Sequence, residues 1–327
     1  MSVDRPAARP PATHATRPRV SVISTFLDSE RFMPEAIESV LAQRFSDLEL
    51  ILIDDGSAAA CTSMARAYAA RLAQRVRYFD HPGHANRGIS ASRNLGVSVA
   101  RGELVAFIDS DDVWEPGKLG EQIAVIDAHP GLGMVCGAAR YWRSWQGGTD
   151  AIVQTGHVVN TILHPPEAAL ALYPLGEAAS PCPSDLLLRR EVVTAVGGFE
   201  AHFSGARQLY EDQAFLAKLY HAAPVYFSDR VWIRYREHPE SCMARVVREG
   251  RYHEVRLYFL EWLERYFDSI PAVDGRVRAA LQRRLWQARH PFLHAAARRS
   301  SALLKAAGRA AGRFKPRQRS DQPAPVR

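Results

Sequence analysis

Two acidic clusters, each closing an apolar run, are the residues of this chain best suited to do chemistry. The run Leu104–Ile108 stops at Asp109-Ser110-Asp111-Asp112. Asp109 and Asp111, one residue apart just past a strand, can leave the extended backbone and converge on one hard cation. Mg²⁺ and Mn²⁺ favour carboxylate oxygen and bind readily where substrate phosphates complete the shell. The run Leu48–Ile53 stops at Asp54-Asp55-Gly56-Ser57. A carboxylate there can accept a hydrogen bond from a nucleobase imide, and Gly56 allows close backbone approach. Acidic residues also decorate ordinary turns, so either cluster alone is weak evidence. The pair is far more specific.

Positioning both clusters requires buried strands alternating with helices. Val20–Thr25 (VSVIST), Leu48–Ile53, Val76–Phe79 and Leu104–Ile108 are short, apolar and partly β-branched, as expected of strands covered on both faces. Helical spacing separates them: Ala36, Ile37, Val40 and Leu41 after Pro34, then about 60–72, then Ser90–Ala100. This alternation predicts βαβ units, a mainly parallel sheet and ligands beyond the strands' carboxyl ends. Further on, short strands are expected at Leu186–Leu188, Val225–Phe227 and Trp232–Tyr235, with a helix over Glu211–His221. Val255, Tyr258, Phe259, Trp262, Leu263 and Tyr266 form one apolar stripe, the mark of a core or homodimer interface.

At 327 residues, 47% hydrophobic and 24% charged, the chain has the composition of a folded protein, which excludes wholesale disorder. No apolar run is long enough to span a bilayer, and the first residues lack a signal peptide's apolar core. Cys61, Cys136, Cys182 and Cys242 form no CxxC pair, so no zinc ribbon or disulfide scaffold is indicated and a reducing cytoplasm is expected. The net charge of +7 hides an asymmetry: from Arg245 onward 19 Lys/Arg face 7 Asp/Glu, a surplus of +12, leaving −5 for the rest. An acidic body with a basic tail argues against nucleic acid as the partner; the tail could meet phosphate, anionic lipid or an acidic partner, or form a solvated helical face.

Taken in order, these segments resemble an inverting family-2 glycosyltransferase of the GT-A fold. The similarity runs through Val20–Thr25, Ala36–Ser57, Gly88–Leu119, Leu186–Phe199, Glu211-Asp212 and Tyr235–Ser241, about two thirds of the chain. It implies an α/β architecture with a Rossmann-like sheet flanked by helices and a C-terminal helical extension. The organisation expected is an N-terminal arm (1–18), a catalytic domain (19–244), a basic helical extension (245–315) and a disordered tail (316–327).

The resemblance also implies roles. Thr25 and Asp55 would contact the base of a nucleotide-diphosphate sugar donor, with Arg93, Asp109 and Ser110 near its ribose and diphosphate. Asp111, with Asp109 and His238, would hold Mg²⁺ or Mn²⁺. Asp212, with Glu211 beside it, falls where the family places its catalytic base. Such a base removes the proton of an attacking hydroxyl on a glycan or lipid-linked acceptor, while the cation neutralises the leaving diphosphate.

Departures matter. The family's Pro-Thr-Tyr-Asn after the first strand is here Ser24-Thr25-Phe26-Leu27-Asp28, which alters the base pocket. Two histidines in the loop His81–Arg87 have no assigned role. The QxxRW signature of processive members is absent; Gln282-Arg283-Arg284-Leu285-Trp286 reads as helix surface, so single-step transfer in cell-surface polysaccharide synthesis is expected. The competing classes are a nucleotidyltransferase, which would want a basic glycine-rich loop that residues 20–35 lack, and a catalytically silent membrane scaffold. Val277, Leu281, Leu285, Leu303, Leu304 and Ala307, flanked by arginines, suggest either an amphipathic stretch in weak contact with anionic membrane or helices packed on the catalytic domain or a second subunit.

Overall fold

The three-dimensional structure, a computed structural model, describes residues 17–293. In chain order the elements are β1 (Val20–Phe26), α1 (Met33–Leu41), β2 (Leu48–Asp54), α2 (Ala59–Arg71), β3 (Val76–Asp80), α3 (Ile89–Val99), β4 (Leu104–Asp109), β5 (Val113–Trp114) and α4 (Lys118–Ala128). They continue with β6 (Met134–Trp142), β7 (Ala151–Val153), β8 (Thr161–Leu163), α5 (Glu167–Ala171), β9 (Leu187–Arg189), α6 (Arg190–Ala195), α7 (Glu211–Ala222), β10 (Val225–Arg236), α8 (Cys242–Arg248), α9 (Tyr252–Asp268) and α10 (Gly275–Arg289).

The sheet runs β3-β2-β1-β4-β9-β6-β10-β5, with β7 added to β6 and β8 to β10. β1, β2, β3 and β4 are mutually parallel, as are β6 and β10; β9 runs antiparallel between β4 and β6. Side chains alternate between two cores. Leu48, Leu50 and Leu52 of β2, with Leu104, Ala106 and Ile108 of β4, pack under α1 and α4. Ile51, Ile53, Val105 and Phe107 face the opposite core. Strands buried on both faces cannot show polar alternation, which explains their uniformly apolar runs.

Helices beyond residue 244 share that second core. Val255, Phe259, Trp262 and Leu263 of α9 are buried within the chain, so the aromatic stripe is core. Val277, Ala280, Leu281 and Leu285 of α10 are buried in the same cluster. Arg284 is tied to the Leu175 and Gly176 carbonyls and to Glu177. The first half of the expected membrane-facing stretch is therefore packed on the body; Leu303, Leu304 and Ala307 lie outside the described residues. Of the string expected to be helix surface, Gln282 and Arg283 are exposed on α10, while Leu285 is buried in the core. A second difference concerns β10: the two short strands expected over residues 225–235 are one long strand, interrupted by register shifts after Phe227 and Val231.

From β1 the chain winds outward to β2 and β3, then crosses back to β4 on the other side of β1. That reversal opens a crevice at the carboxyl ends of β1 and β4, the general location of ligand sites in such sheets. α3 lies close over β1, where a Cβ on Gly96 would sit 2.4 Å from Ile23 Cγ2.

Candidate active site

One cavity of about 410 Å³ opens in that crevice. All nine residues selected from the sequence line it: Thr25, Asp55, Arg93, Asp109, Ser110, Asp111, Glu211, Asp212 and His238. Parallel register explains part of the gathering. Thr25, near the end of β1, pairs with Ile53 on one side and Asp109 on the other. The Thr25 hydroxyl is buried with no hydrogen-bond partner among the described residues. A buried polar atom left unpaired costs about 1–3 kcal/mol, a cost that a polar group placed in the crevice would relieve.

The Asp54-Asp55 cluster is used in two ways. Asp54 is fully buried and accepts hydrogen bonds from Ser57 N (2.8 Å), Thr62 Oγ1 (2.6 Å) and Tyr78 OH (3.0 Å). Burial alone would raise its pKa, but these donors outweigh it and hold the carboxyl below its ordinary value. Asp55 accepts from Arg87 N (2.7 Å) and Gly88 N (3.0 Å), drawing the loop 81–88 against the turn. Gly56 is required here: its φ is +85° and a Cβ would lie 2.8 Å from Asn86 N. The loop's histidines acquire roles as struts. His81 Nε2 meets Ser92 Oγ at 2.8 Å, and His84 bridges Asp80 and the Ser57 carbonyl.

Arg93, buried in α3, is the central cation. One guanidinium nitrogen bonds Glu211 and the other bonds Asp109 Oδ1 at 2.5 Å, while the group lies 5.2 Å from the centre of the Phe199 ring. It links the end of β4 to the start of α7, and so orients both carboxylates. Burial pushes Glu211 well above the usual carboxylate range, with Arg93 pulling it back down and Asp212 adding to the rise. Glu211 Oε2 has no partner among the described residues. Asp109 is raised by burial, lowered by Arg93 and raised again by Asp111.

Asp212 occupies the first turn of α7. Its carboxylate is bonded only locally, to Gln213 N at 2.6 Å and weakly to the Gln213 amide. Burial pushes its pKa up to about 6, against the pull of Arg93 and the Gln213 amide. This is a carboxylate poised to take a proton near neutral pH.

The acidic run after β4 divides. Asp112 is buried and accepts from Ser184 Oγ (2.5 Å) and Arg236 N (2.9 Å), anchoring the turn to β10. Asp111 lies on the cavity wall, where its Oδ2 meets His238 Nε2 at 3.0 Å across 127 positions of sequence. Ser110 donates to Ser29 Oγ at 2.8 Å. Among the described residues no cluster of three or more acidic, histidine or cysteine side chains could hold a metal ion alone. The chemistry of Asp111 and His238 nevertheless fits a divalent cation that takes its remaining ligands from a diphosphate and water, as Mg²⁺ commonly does. Asp109, engaged by Arg93, is less free to join them.

Sequence reasoning missed Ser184 and Arg236. Ser184 also receives Asp109 N at 3.0 Å, so one hydroxyl supports both ends of the acidic run. Arg236 binds the Asp111 carbonyl and Glu35. Nothing local marks Ser184; Arg236 lies two residues before His238 and could have been taken with it. A second, larger cavity of about 690 Å³ adjoins the first, sharing Asp212, Tyr235 and His238. Its tyrosine lining was not anticipated.

A mainly parallel α/β sheet with an acid-lined crevice at its switch point defines the class of fold, and the comparisons with known proteins narrow it. The model of Glycosyl transferase family 2 matches residues 21–197, and the chain belongs to that family. It is 36% identical over 118 residues to an uncharacterized glycosyltransferase of Nostoc sp. (strain PCC 7120), covering 36% of this chain and 35% of that one. It is 41% identical over 95 residues to the uncharacterized glycosyltransferase EpsJ of Bacillus subtilis (strain 168), covering 29% of this chain and 26% of EpsJ. The matched segments thus span about a third or less of these relatives.

Among solved structures, S. aureus TarS 1-349 superposes with a TM-score of 0.61 at 20% identity, over 84% of this chain and 72% of that one. The mannosyltransferase PcManGT from Pyrobaculum calidifontis, solved with GDP-Man and Mn²⁺, gives 0.58 at 19% identity, over 92% and 83%. These likenesses show the fold, GT-A with C-terminal helices. Among the described residues no helix is long and apolar enough to cross a membrane.

Proposed function

We propose that this chain transfers a sugar from a nucleotide-diphosphate donor to a hydroxyl group, with inversion at the anomeric carbon and one sugar added per encounter. The observation that carries the reading is the convergence on one cavity of nine residues drawn from six separate segments of the sequence. In this reading Thr25 and Asp55 face the base, Arg93 and Asp109 shape the ribose and diphosphate end, and Asp111 and His238 would hold Mg²⁺ or Mn²⁺. When bound, the cation supplies charge neutralisation of the leaving diphosphate. Asp212 takes the acceptor hydroxyl's proton as that oxygen bonds to C1 and the C1–diphosphate bond breaks. Glu211 is engaged by Arg93, leaving Asp212 as the carboxylate free for acceptor chemistry, and a single base with no enzyme nucleophile supports inversion.

TarS has been solved with UDP-GlcNAc and PcManGT with GDP-Man and Mn²⁺, which supports donors and a metal of these kinds. Uridine is the base we favour, and synthesis of a cell-surface polysaccharide is the process. The absence of QxxRW supports single-step transfer.

Thermal unfolding of the full chain with a panel of UDP- and GDP-sugars, with and without Mn²⁺, tests the proposal. Stabilisation is expected only when nucleotide sugar and metal are both present, since a ligand at 100 times its Kd adds about 2.7 kcal/mol. No change in Tm with any nucleotide sugar, metal or not, would refute it.

A further inference from the structure

We infer that the second cavity binds the acceptor as an uncharged sugar ring laid against tyrosine, and rejects acceptors that present a phosphate there; this rests on the sugar-transfer reading above. Tyr141 and Tyr235 are register partners at the ends of the parallel strands β6 and β10, their rings 5.0 Å apart and tilted by 39°. Both line the cavity, and no hydrogen bond within the described residues engages either hydroxyl. Tyr173, Tyr210 and Tyr252 form another part of the lining, with Tyr173 and Tyr210 joined through their hydroxyls at 2.9 Å. A tyrosine offers a flat apolar face to the C–H side of a pyranose and a hydroxyl to its rim, the mixture a sugar presents in return.

Charge disfavours the alternative. The cations lining the cavity are Arg143, Arg236 and His238. Arg143 is paired with Glu237, Arg236 with Glu35, and His238 with Asp111. Both arginines of the lining therefore already face a carboxylate, and Arg256, which donates to the Tyr173 hydroxyl at 3.3 Å, lies outside the lining. The start of α7 could hold an anion through its free amides, but it already carries Glu211 and Asp212. A phosphate placed here would lose water beside the Asp212 carboxylate and would compete with carboxylates already paired to the lining arginines.

Saturation-transfer NMR on the full chain decides the matter, with neutral disaccharides and their monophosphates as probes. Transfer to the ring protons of at least one neutral disaccharide is expected, and none to its phosphate. That signal should be lost in Tyr141→Ala with Tyr235→Ala and retained in Tyr141→Phe with Tyr235→Phe. Because the paired alanine variant removes two strand-end rings, Tyr252→Ala on the exposed start of α9 is the second probe, and should weaken the signal several-fold. Stronger transfer to a phosphorylated sugar, no transfer to any neutral sugar, or neutral-sugar signal undiminished in the alanine variants would overturn the inference. Nucleotide-sugar stabilisation measured on the same samples reports the transferase reading separately. Its loss with sugar binding intact would sink that reading and not this site.

Discussion

At the end of β2 one buried aspartate meets three donors, while at the end of β4 three aspartates and the neighbouring Glu211 share five hydrogen bonds among them. Asp54 is held by Ser57, Thr62 and Tyr78, and its pKa falls below the ordinary value despite burial. Asp109, Asp112 and Glu211 are all raised, first by burial and then by one another, against which Arg93 supplies one positive charge between Asp109 and Glu211. The same residue type in the same kind of strand end is thus quenched in one place and short of positive charge in the other. Uncompensated negative charge costs the fold stability and makes a cation-assisted anionic ligand welcome. An acidic strand end becomes a candidate site when its carboxylates crowd together with few donors for each of them.

Breaking the open end should have the largest effect. Asp111→Ala is expected to abolish transfer and remove the Mn²⁺-dependent part of the nucleotide-sugar stabilisation. Asp111→Asn should come close to that, because a neutral amide is a poor ligand for these cations. Full turnover by metal-stripped protein in excess chelator would refute the metal assignment.

Asp212→Asn keeps the shape and removes proton acceptance, so turnover should fall by roughly 10²–10⁴-fold with donor stabilisation intact. The wild-type profile sharpens this. With the Asp212 pKa pushed up to about 6, kcat/KM should rise as pH increases through that value and level off above it, since the ionised form is the base. A profile flat from pH 5 to 8, or near-normal turnover by Asp212→Asn, would remove Asp212 from the role.

Arg93→Met leaves Asp109 and Glu211 buried without their cation. Removing one partner of a buried pair costs about 3–5 kcal/mol, readable as a lower urea midpoint. The loss should shrink as pH falls, because the two orphaned carboxyls can then protonate.

Asp54→Asn should have the smallest effect, about 1–3 kcal/mol, because donors remain around a neutral acceptor. The folded pKa of Asp54 lies below its unfolded value, so its stabilisation is present above the ordinary 3.8 and is lost as pH falls through the folded value. The variant's deficit should accordingly be constant from pH 5 to 8 and narrow in acid. If Asp54→Asn instead eliminated nucleotide-sugar binding in a stable protein, the contrast between the two strand ends would fail.

The sequence by itself determined the β1–β4 half of the fold and the class of chemistry. Pattern is local: the short length of LELILI and the Asp-Gly turn after it mark a buried strand, and the residue that follows lies at the sheet's carboxyl edge, so Asp54-Asp55 and Asp109–Asp112 were legible as edge clusters. The helix starting at Glu211 was legible for the same reason. Only the tertiary structure decided which carboxylates stay open, because donors come from far away in sequence. Ser184 reaches Asp109 and Asp112 from the turn before β9, and His238 reaches Asp111 from beyond β10. The single long β10, the burial of α10's apolar face and the pairing of Tyr141 with Tyr235 likewise depend on which strands become neighbours. Strand neighbourhood is fixed by long-range packing, and no window of sequence contains it.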